Sequence, residues 1–300
     1  MKFISSNVYI RWRTGHKVID YIPGVSPTTL ADLPTLVSGL GKQVLDDVLE
    51  AFCCIRKAQC VRFTSFYELE GQVIDNFTDT SISSLLCCPL IPHMALDSIP
   101  DANMECLKWL DSQPTKSVLY VSFGSFLSVS REQMDEIVEG VCESGVTYLW
   151  VARGDTSRIQ EACGEMGLVV PWCDPLKVLC HSAVAGFWTH CGWNPTVEGV
   201  YAGVPMFTFP ITGDQIPDSK LIVDDWKVGM KVRDATKEKL VRGKEISGIV
   251  QRFMSRDGNA SKEMRRNASV LKETCRQALS KGGSSESNLV AFIRDFLKCH

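Results

Sequence analysis

The sequence predicts an α/β protein whose main part is a doubly wound parallel sheet with helices on both faces. From about residue 115 onward, short apolar runs of strand length alternate with amphipathic segments of helical period. The runs are apolar throughout and do not alternate with polar residues, which is typical of strands buried on both faces. Strands separated by helices pair in parallel, because a crossover helix returns the chain to the same end of the sheet.

The first elements of this part are bounded by clear signals. Residues 117–123 read SVLYVSF and are followed by Gly124, so they predict a strand. Ser130 predicts the start of a helix, and Gln133, three residues later, completes a capping box. The helix should bury one face, because four apolar residues recur at helical spacing: Met134, Ile137, Val138 and Val141.

The later elements continue the alternation. Further strands are predicted over 148–152, 167–170, 183–188, 206–209 and 228–232. Helices are predicted over 155–166, 176–181, 196–202, 218–226 and, with one break near Asp257, 244–280. A final helix carries an apolar stripe over 289–297 that must dock on another part of the chain. Upstream of residue 100, only a helix over 40–55 and a strand over 60–66 are predicted.

These elements divide the 300 residues into three parts. Residues 1–100 are assigned as a partial N-terminal domain with a linker, since prolines are frequent over 89–103. Residues 101–280 are assigned as the complete sheet domain. Residues 281–300 are assigned as a C-terminal helix that docks back on the N-terminal side.

Composition and motifs exclude several classes of function. With 32 basic and 35 acidic residues the net charge is −3, so no basic excess indicates a nucleic-acid or membrane partner. The 13 cysteines include no Cys-x-x-Cys pair, which leaves the usual zinc spacing unmet. No secretory signal or transmembrane run is recognisable, and we expect a cytoplasmic protein. Without a dinucleotide fingerprint, an NAD-dependent dehydrogenase is a weak alternative.

Residues 172–215 place polar and aromatic side chains directly after three predicted strands. In order, these side chains are Trp172, then His190, Trp193 and Asn194, then Asp214 and Gln215. The carboxyl ends of parallel strands form the ligand-binding edge of such a sheet, so these side chains should line one crevice. The turn 189–194 leads into a helix N-terminus, which favours phosphate, and Glu198 one helical turn later suits a pair of sugar hydroxyls. Taken singly each residue is more often structural, but together they predict a site for a nucleotide or nucleotide sugar.

This stretch resembles, over its whole length, the signature box of plant family-1 UDP-glycosyltransferases. The matching positions are Trp172, His181, Phe187, 190–194, Glu198, 203–205, Pro210, Asp214 and Gln215. Similarity continues outside the box at 120–125, 263–268 and 281–285. The resemblance implies a GT-B fold with two Rossmann-like domains. It also implies inverting transfer of a sugar, by family habit glucose, from a UDP-sugar to a hydroxyl of a small molecule such as a flavonoid.

The resemblance further implies a role for each matching residue. Trp172 would stack on the uracil of UDP, and the Cys173 backbone would contact the uracil edge. Glu198 would bind the ribose hydroxyls. The diphosphate would be held by Ser125, His190 and Asn194, and the sugar by Trp193, Asp214 and Gln215, while Gly192 belongs to the same UDP-sugar-binding set. No metal or other cofactor is implied, because the helix N-terminus and His190 would stabilise the leaving UDP. A monomer is the expected state.

The family's catalytic histidine, and the aspartate that orients it, are not identifiable in this sequence. His16 lacks the strand and glycine-rich turn that such a base requires, so we assign no catalytic residue. We expect the chain to begin within the N-terminal domain and to show little or no turnover. The alternative is a non-catalytic protein that binds a UDP-sugar or a partner.

Three positions depart from the family's signature box. Pro175 replaces a usual glutamine and can occupy the first position of a helix without strain. Pro195 replaces a usual serine and brings neither an amide N–H nor a hydroxyl to the phosphate. Gly213 stands where an aromatic residue is common, which should loosen the sugar pocket.

Overall fold

The fold was analysed in a computed structural model. It describes residues 18–33, 41–55, 57–58, 60–76, 85–91, 104–124, 129–152, 156–233, 240–255 and 257–298. The chain forms two compact units. Unit 1 comprises residues 1–91 and 273–300, and unit 2 comprises residues 92–272. His16 and Ser125, both considered in the sequence analysis, lie outside the described residues.

In its described residues, unit 1 contains short strands and several helices. Its strands are β1 (Val18–Ile19), β2 (Thr28–Thr29), β3 (Val61–Phe63) and β4 (Leu85–Cys87). Its helices are α1 (Gly41–Ile55), α2 (Tyr67–Asp75), the end of α10 (Asn259–Leu279) and α11 (Ser284–Lys298).

The last helix of the chain contacts N-terminal residues within unit 1. Strands β3 and β4 pair in parallel, and the Asn288 side chain of α11 donates a hydrogen bond to the Cys87 carbonyl at 3.1 Å. The Ser284 hydroxyl at the start of α11 donates to the Glu68 carboxylate at 2.7 Å. These two polar contacts fix the helix beside β4 and α2.

Unit 2 contains a six-stranded parallel sheet. Its strands are β5 (Val118–Ser122), β6 (Tyr148–Val151), β7 (Gly167–Val170), β8 (Val184–Thr189), β9 (Met206–Thr208) and β10 (Gly229–Lys231). Its helices are α3 (Met104–Asp111), α4 (Arg131–Glu143), α5 (Thr156–Cys163), α6 (Pro175–Cys180), α7 (Trp193–Ala202), α8 (Gln215–Lys220), α9 (Gly243–Met254) and most of α10. The predicted α/β class with a parallel sheet is confirmed.

The strand order is β10-β9-β8-β5-β6-β7, and every neighbouring pair is parallel. From the centre of the sheet, β5, β6 and β7 therefore follow one another toward one edge. Strands β8, β9 and β10 follow one another toward the other edge. This is the order of a doubly wound nucleotide-binding sheet, and its reversal between β5 and β8 opens a crevice at their carboxyl ends.

Alternate residues of the central strands bury against opposite helical layers. Leu119 and Trp188 lie in the core formed with α4 and α9, where Phe253 is fully buried. On the other face, Tyr120 and Phe187 stack with ring centroids 5.0 Å apart. The strands are buried on both sides, and this explains their uniformly apolar sequence.

The capping box predicted at the start of α4 forms only in part. The Ser130 hydroxyl accepts the Gln133 backbone N–H at 3.2 Å, as expected for an N-cap. The Gln133 side chain, however, donates to the Val241 carbonyl and accepts the Val241 N–H, both at 3.0 Å. Because the Val241 backbone lies outside a regular element, it has no strand or helix partner of its own. Gln133 satisfies it and joins α4 to the segment before α9.

Candidate functional site

The residues that follow β5, β7, β8 and β9 all emerge at the carboxyl edge of the sheet in unit 2. The crevice at the reversal point lies between the end of β5 and the end of β8. Residues 123–124 follow β5, and residues 190–192 follow β8. The turn after β8 therefore occupies the centre of the crevice.

That turn is tight and enters α7 directly. Cys191 adopts a positive φ of 67°, which is uncommon for a residue other than glycine, and its backbone N–H donates to the Thr189 hydroxyl at 3.0 Å. Gly192 is the N-cap of α7 in an extended conformation and offers no capping side chain. The turn thus brings His190 next to an N-terminus that is not capped by its own side chain.

The N-terminus of α7 offers amide groups rather than side-chain caps. The Thr196 N–H donates to the Gly192 carbonyl at 3.0 Å and makes the first hydrogen bond within the helix. A helix leaves the earlier amides without partners inside it, and together with the helix dipole they favour an anion. Pro195, the third residue of α7, contributes no amide to this group.

His190 is partly buried at this N-terminus. Burial lowers its pKa, and interactions with the Ser122 backbone and the Asp214 carboxylate oppose that shift only in part. The imidazole is therefore mainly neutral at pH 7. The influence of Asp214 shows that the turn after β8 and the segment after β9 lie close together.

Glu198 lies one turn further along α7 and is also partly buried. Its pKa is raised to about 7, mainly by burial and then by the nearby Asp174 carboxylate. Glu198 also contributes to the raised pKa of the Cys173 thiol, about 12, whose main cause is burial. These interactions place the Glu198 carboxylate beside the segment that follows β7.

The segment after β7 comes close to Glu198, although β7 is an edge strand of the sheet. Strand β7 lies three strands from β8, which at the usual strand spacing is about 14 Å. Asp174 caps α6, because its carboxylate accepts the N–H groups of Leu176 and Lys177 at 3.1 Å each. Pro175 occupies the first position of that helix, as predicted. Because α6 packs against α7, residues 173–174 come close to α7, and Trp172, which directly precedes them, is 45% exposed.

The segment after β9 forms a closed loop. The Gln215 side-chain carbonyl accepts the N–H groups of Ile211 at 2.9 Å and Thr212 at 3.2 Å. This uses both of its acceptor sites, so only the amide N–H groups of that side chain remain to meet a ligand. Gly213 has a positive φ of 65°, and no atom lies within 4 Å of a Cβ added there. Space for a larger side chain is therefore open at this position.

The sequence-predicted site residues of the described segments thus lie on three segments at one edge, those that follow β7, β8 and β9. Interactions link His190 with Asp214, and Glu198 with residues 173–174. The Trp193 ring lies 6.4 Å from that of Trp226, between ring centroids, and Asn194 is exposed in the first turn of α7. Sequence reasoning missed Asp174, although an aspartate directly before a proline is itself a signal for a helix start.

Among the described residues, no helix has both the length and the apolar character needed to cross a membrane. Within the same segments, no group of three or more histidine, cysteine, aspartate or glutamate side chains is arranged to hold a metal ion.

Comparison with known proteins gives consistent matches. Residues 90–245 match the family described as "UDP-glucoronosyl and UDP-glucosyl transferase". UDP-glycosyltransferase 87A2 of Arabidopsis thaliana is 49% identical over 283 residues, which cover 93% of this chain and 62% of that protein. The chain therefore spans less than two thirds of the length of this relative.

Solved structures are similar over nearly the whole chain. One is UGT2 of Phytolacca americana, complexed with UDP-2fluoro-glucose and pterostilbene, with a TM-score of 0.81 and 28% sequence identity. The match covers 95% of this chain and 64% of the UGT2 chain. A UDP-glucosyltransferase of Polygonum tinctorium capable of glucosylating indoxyl, in complex with 3,4-dichloroaniline, has a TM-score of 0.80 at 31% identity. That match covers 93% of this chain and 63% of the other.

Proposed function

Because this chain belongs to the family of UDP-glucuronosyl and UDP-glucosyl transferases, we propose that unit 2 binds the donor of a sugar transfer, a UDP-sugar. The observation that carries the proposal is the pairing of a partly buried imidazole and a partly buried carboxylate in the first turns of α7, with an exposed indole on the segment whose residues 173–174 interact with that carboxylate. The similarity to GT-B transferase structures supports the same assignment. These three side chains, Trp172, His190 and Glu198, offer a surface for a base, a donor for phosphate and an acceptor for ribose.

In this proposal the nucleotide lies along the edge of the sheet. Uracil stacks on Trp172 with its edge against the Cys173 backbone, and the ribose hydroxyls donate to Glu198. The diphosphate lies at the N-terminus of α7 with His190, Gly192 and Asn194, and with Ser125. Trp193, Asp214 and Gln215 face the sugar, which is glucose. Departing UDP would be stabilised by hydrogen-bond donors already in place, so no metal ion is invoked.

The reaction in this proposal is inverting transfer of the sugar to a hydroxyl of a small molecule such as a flavonoid. The second candidate is a protein that binds the UDP-sugar without transferring it. It is favoured by one observation, namely that no residue of the sequence matches the family's catalytic histidine and aspartate. An assay of glucoside formation from UDP-glucose and a flavonol separates the two. For the 300-residue chain by itself we expect UDP binding with little or no product, as the second candidate predicts, whereas rapid turnover would support sugar transfer.

Replacing Trp172 tests the binding proposal directly. Stacking of a base on an aromatic side chain is worth about 1–3 kcal/mol, so Trp172→Ala should weaken UDP binding by about 5- to 150-fold in calorimetry. Trp172→Phe keeps a flat ring and should retain most of the affinity. Equal affinity of the Ala variant and the wild type would show that the base binds elsewhere, and no UDP binding by the wild type would refute the proposal.

Replacing Pro195 tests where the phosphate lies. Pro195→Ala restores one amide to the first turn of α7, and Pro195→Ser adds a hydroxyl as well. A hydrogen bond to a charged group contributes about 1.5–3 kcal/mol, so UDP should bind about tenfold more tightly to the Ser variant and by a smaller factor to the Ala variant. Uridine is the control ligand. It has no phosphate, so its affinity should be the same for both variants and for the wild type. Unchanged UDP affinity in both variants would mean that the phosphate does not approach this turn.

A further inference from the structure

The imidazole of His190 is enclosed by two glycines that belong to different elements. A Cβ added at Gly124 would lie 2.6 Å from Cε1 of the ring, and a Cβ added at Gly192 would lie 2.7 Å from Nε2. Carbon atoms in folded proteins do not approach so closely. The ring in its present position therefore requires that both residues have no side chain.

The two glycines come from the two sides of the crevice. Gly124 follows the end of β5 with a positive φ of 71°, and Gly192 is the N-cap of α7. The ring lies beside both glycines, and its Nε2 is the ring atom nearest to the Cβ position of Gly192. Both Cβ positions approach the Cε1–Nε2 edge of the ring, so a side chain at either glycine would have to displace that edge.

We propose that Gly124 and Gly192 are positioning residues, which leave room for the His190 ring at the α7 N-terminus so that Nε2, protonated when the diphosphate of the donor is bound, can donate to it. This inference rests on the proposed function for the identity of the ligand. Hydrogen bonds to charged groups are short and depend strongly on direction, so a ring turned away from the helix N-terminus loses most of the interaction. Gly124 acts only through His190 in this account and does not need to contact the nucleotide.

Gly124→Ala is the direct test. The added methyl group must displace the ring, and the diphosphate then loses one charge-assisted hydrogen bond. We expect UDP affinity to fall by about 10- to 100-fold, with uridine affinity unchanged within about twofold. Equal losses for uridine and UDP would instead indicate general damage to the site and would overturn the positioning role.

Two controls separate this effect from backbone strain and from misfolding. Gly145→Ala introduces the same strain, because Gly145 has a φ of 68° and no atom within 4 Å of an added Cβ, and it should leave UDP affinity unchanged. His190→Ala should itself weaken UDP binding. If Gly124 acts through the ring, Gly124→Ala should add nothing in the His190→Ala background. A further loss of tenfold in the double variant would contradict the proposal.

A measurement without nucleotide keeps the inference independent of the ligand. The sequence has five histidines, so the His190 imidazole resonance can be assigned as the one lost in His190→Ala. Gly124→Ala should shift this resonance, and Gly145→Ala should not. Absence of UDP binding by the wild type would refute the proposed function only, whereas an unmoved His190 resonance in Gly124→Ala would refute the positioning of the ring.

Discussion

Trp188→Ala should lower the free energy of unfolding of unit 2 by about 3–5 kcal/mol, a cost typical of removing a buried aromatic side chain. Trp188 lies in β8 and is fully buried. Its ring contacts three other aromatic rings edge-on or tilted, those of Phe123, Phe207 and Phe209, at centroid distances of 5.6, 5.0 and 6.4 Å. Each contact adds to the stabilisation given by burial.

Trp188→Phe is the matched control for this prediction. The indole Nε1 is buried and has no hydrogen-bond partner in the described part of the chain, so the larger ring contributes volume but no polar contact. Phenylalanine removes that unsatisfied N–H and leaves a smaller cavity, and we expect a loss below about 1.5 kcal/mol. Urea denaturation followed by circular dichroism measures both variants. Similar losses for Ala and Phe would show that the indole N–H is needed.

The packing of Trp188 also supports the candidate site. Phe123 directly precedes Gly124, Trp188 lies two residues before His190, and Phe209 follows β9. The Phe123 and Phe209 rings lie 5.9 Å apart. These three rings come from adjacent strands and stand next to the segments that enter the crevice. Loss of the central ring should therefore weaken UDP binding as well as stability.

Much of the fold could be predicted from the sequence because the apolar runs are short and clearly bounded. The strands at 118–122 and 167–170 and the helix break near Asp257 follow directly from the sequence pattern. Helix α7 was predicted to begin at Thr196 but begins at Trp193, because its N-cap is Gly192 and no capping side chain indicates the start. Helix α2 was missed for a similar reason, since its N-cap is Phe66.

The candidate site could be predicted only as a set of residues at one edge. Local sequence shows which residues follow a strand, but strand order depends on contacts between distant segments, and β7 lies at the far edge of the sheet. Residues 173–174, which follow Trp172, come close to Glu198 only because α6 packs against α7. The contact between His190 and Gly124 joins residues 66 positions apart, and no local pattern indicates it.

Uridine affinity should rise as the pH increases from 6 to 8, and Glu198 should be the cause. The pKa of this carboxyl in the free protein is raised to about 7 by burial and by Asp174. Ribose hydroxyls that donate to the carboxylate favour its charged form, so binding lowers this pKa and releases a proton. By linkage, the affinity increases with pH up to about pH 7 and reaches a plateau above it.

Uridine affinity should rise about tenfold between pH 6 and 8. With a pKa of about 7, the charged fraction of Glu198 rises by about that factor over this range. Uridine is the appropriate ligand, because it has no phosphate whose binding would depend on protonation of His190. Glu198→Gln removes the titrating group, so its uridine affinity should be low and independent of pH. A dideoxyuridine without ribose hydroxyls should likewise show no pH dependence with the wild type. If it showed the same rise as uridine, Glu198 would not be the residue that binds the ribose.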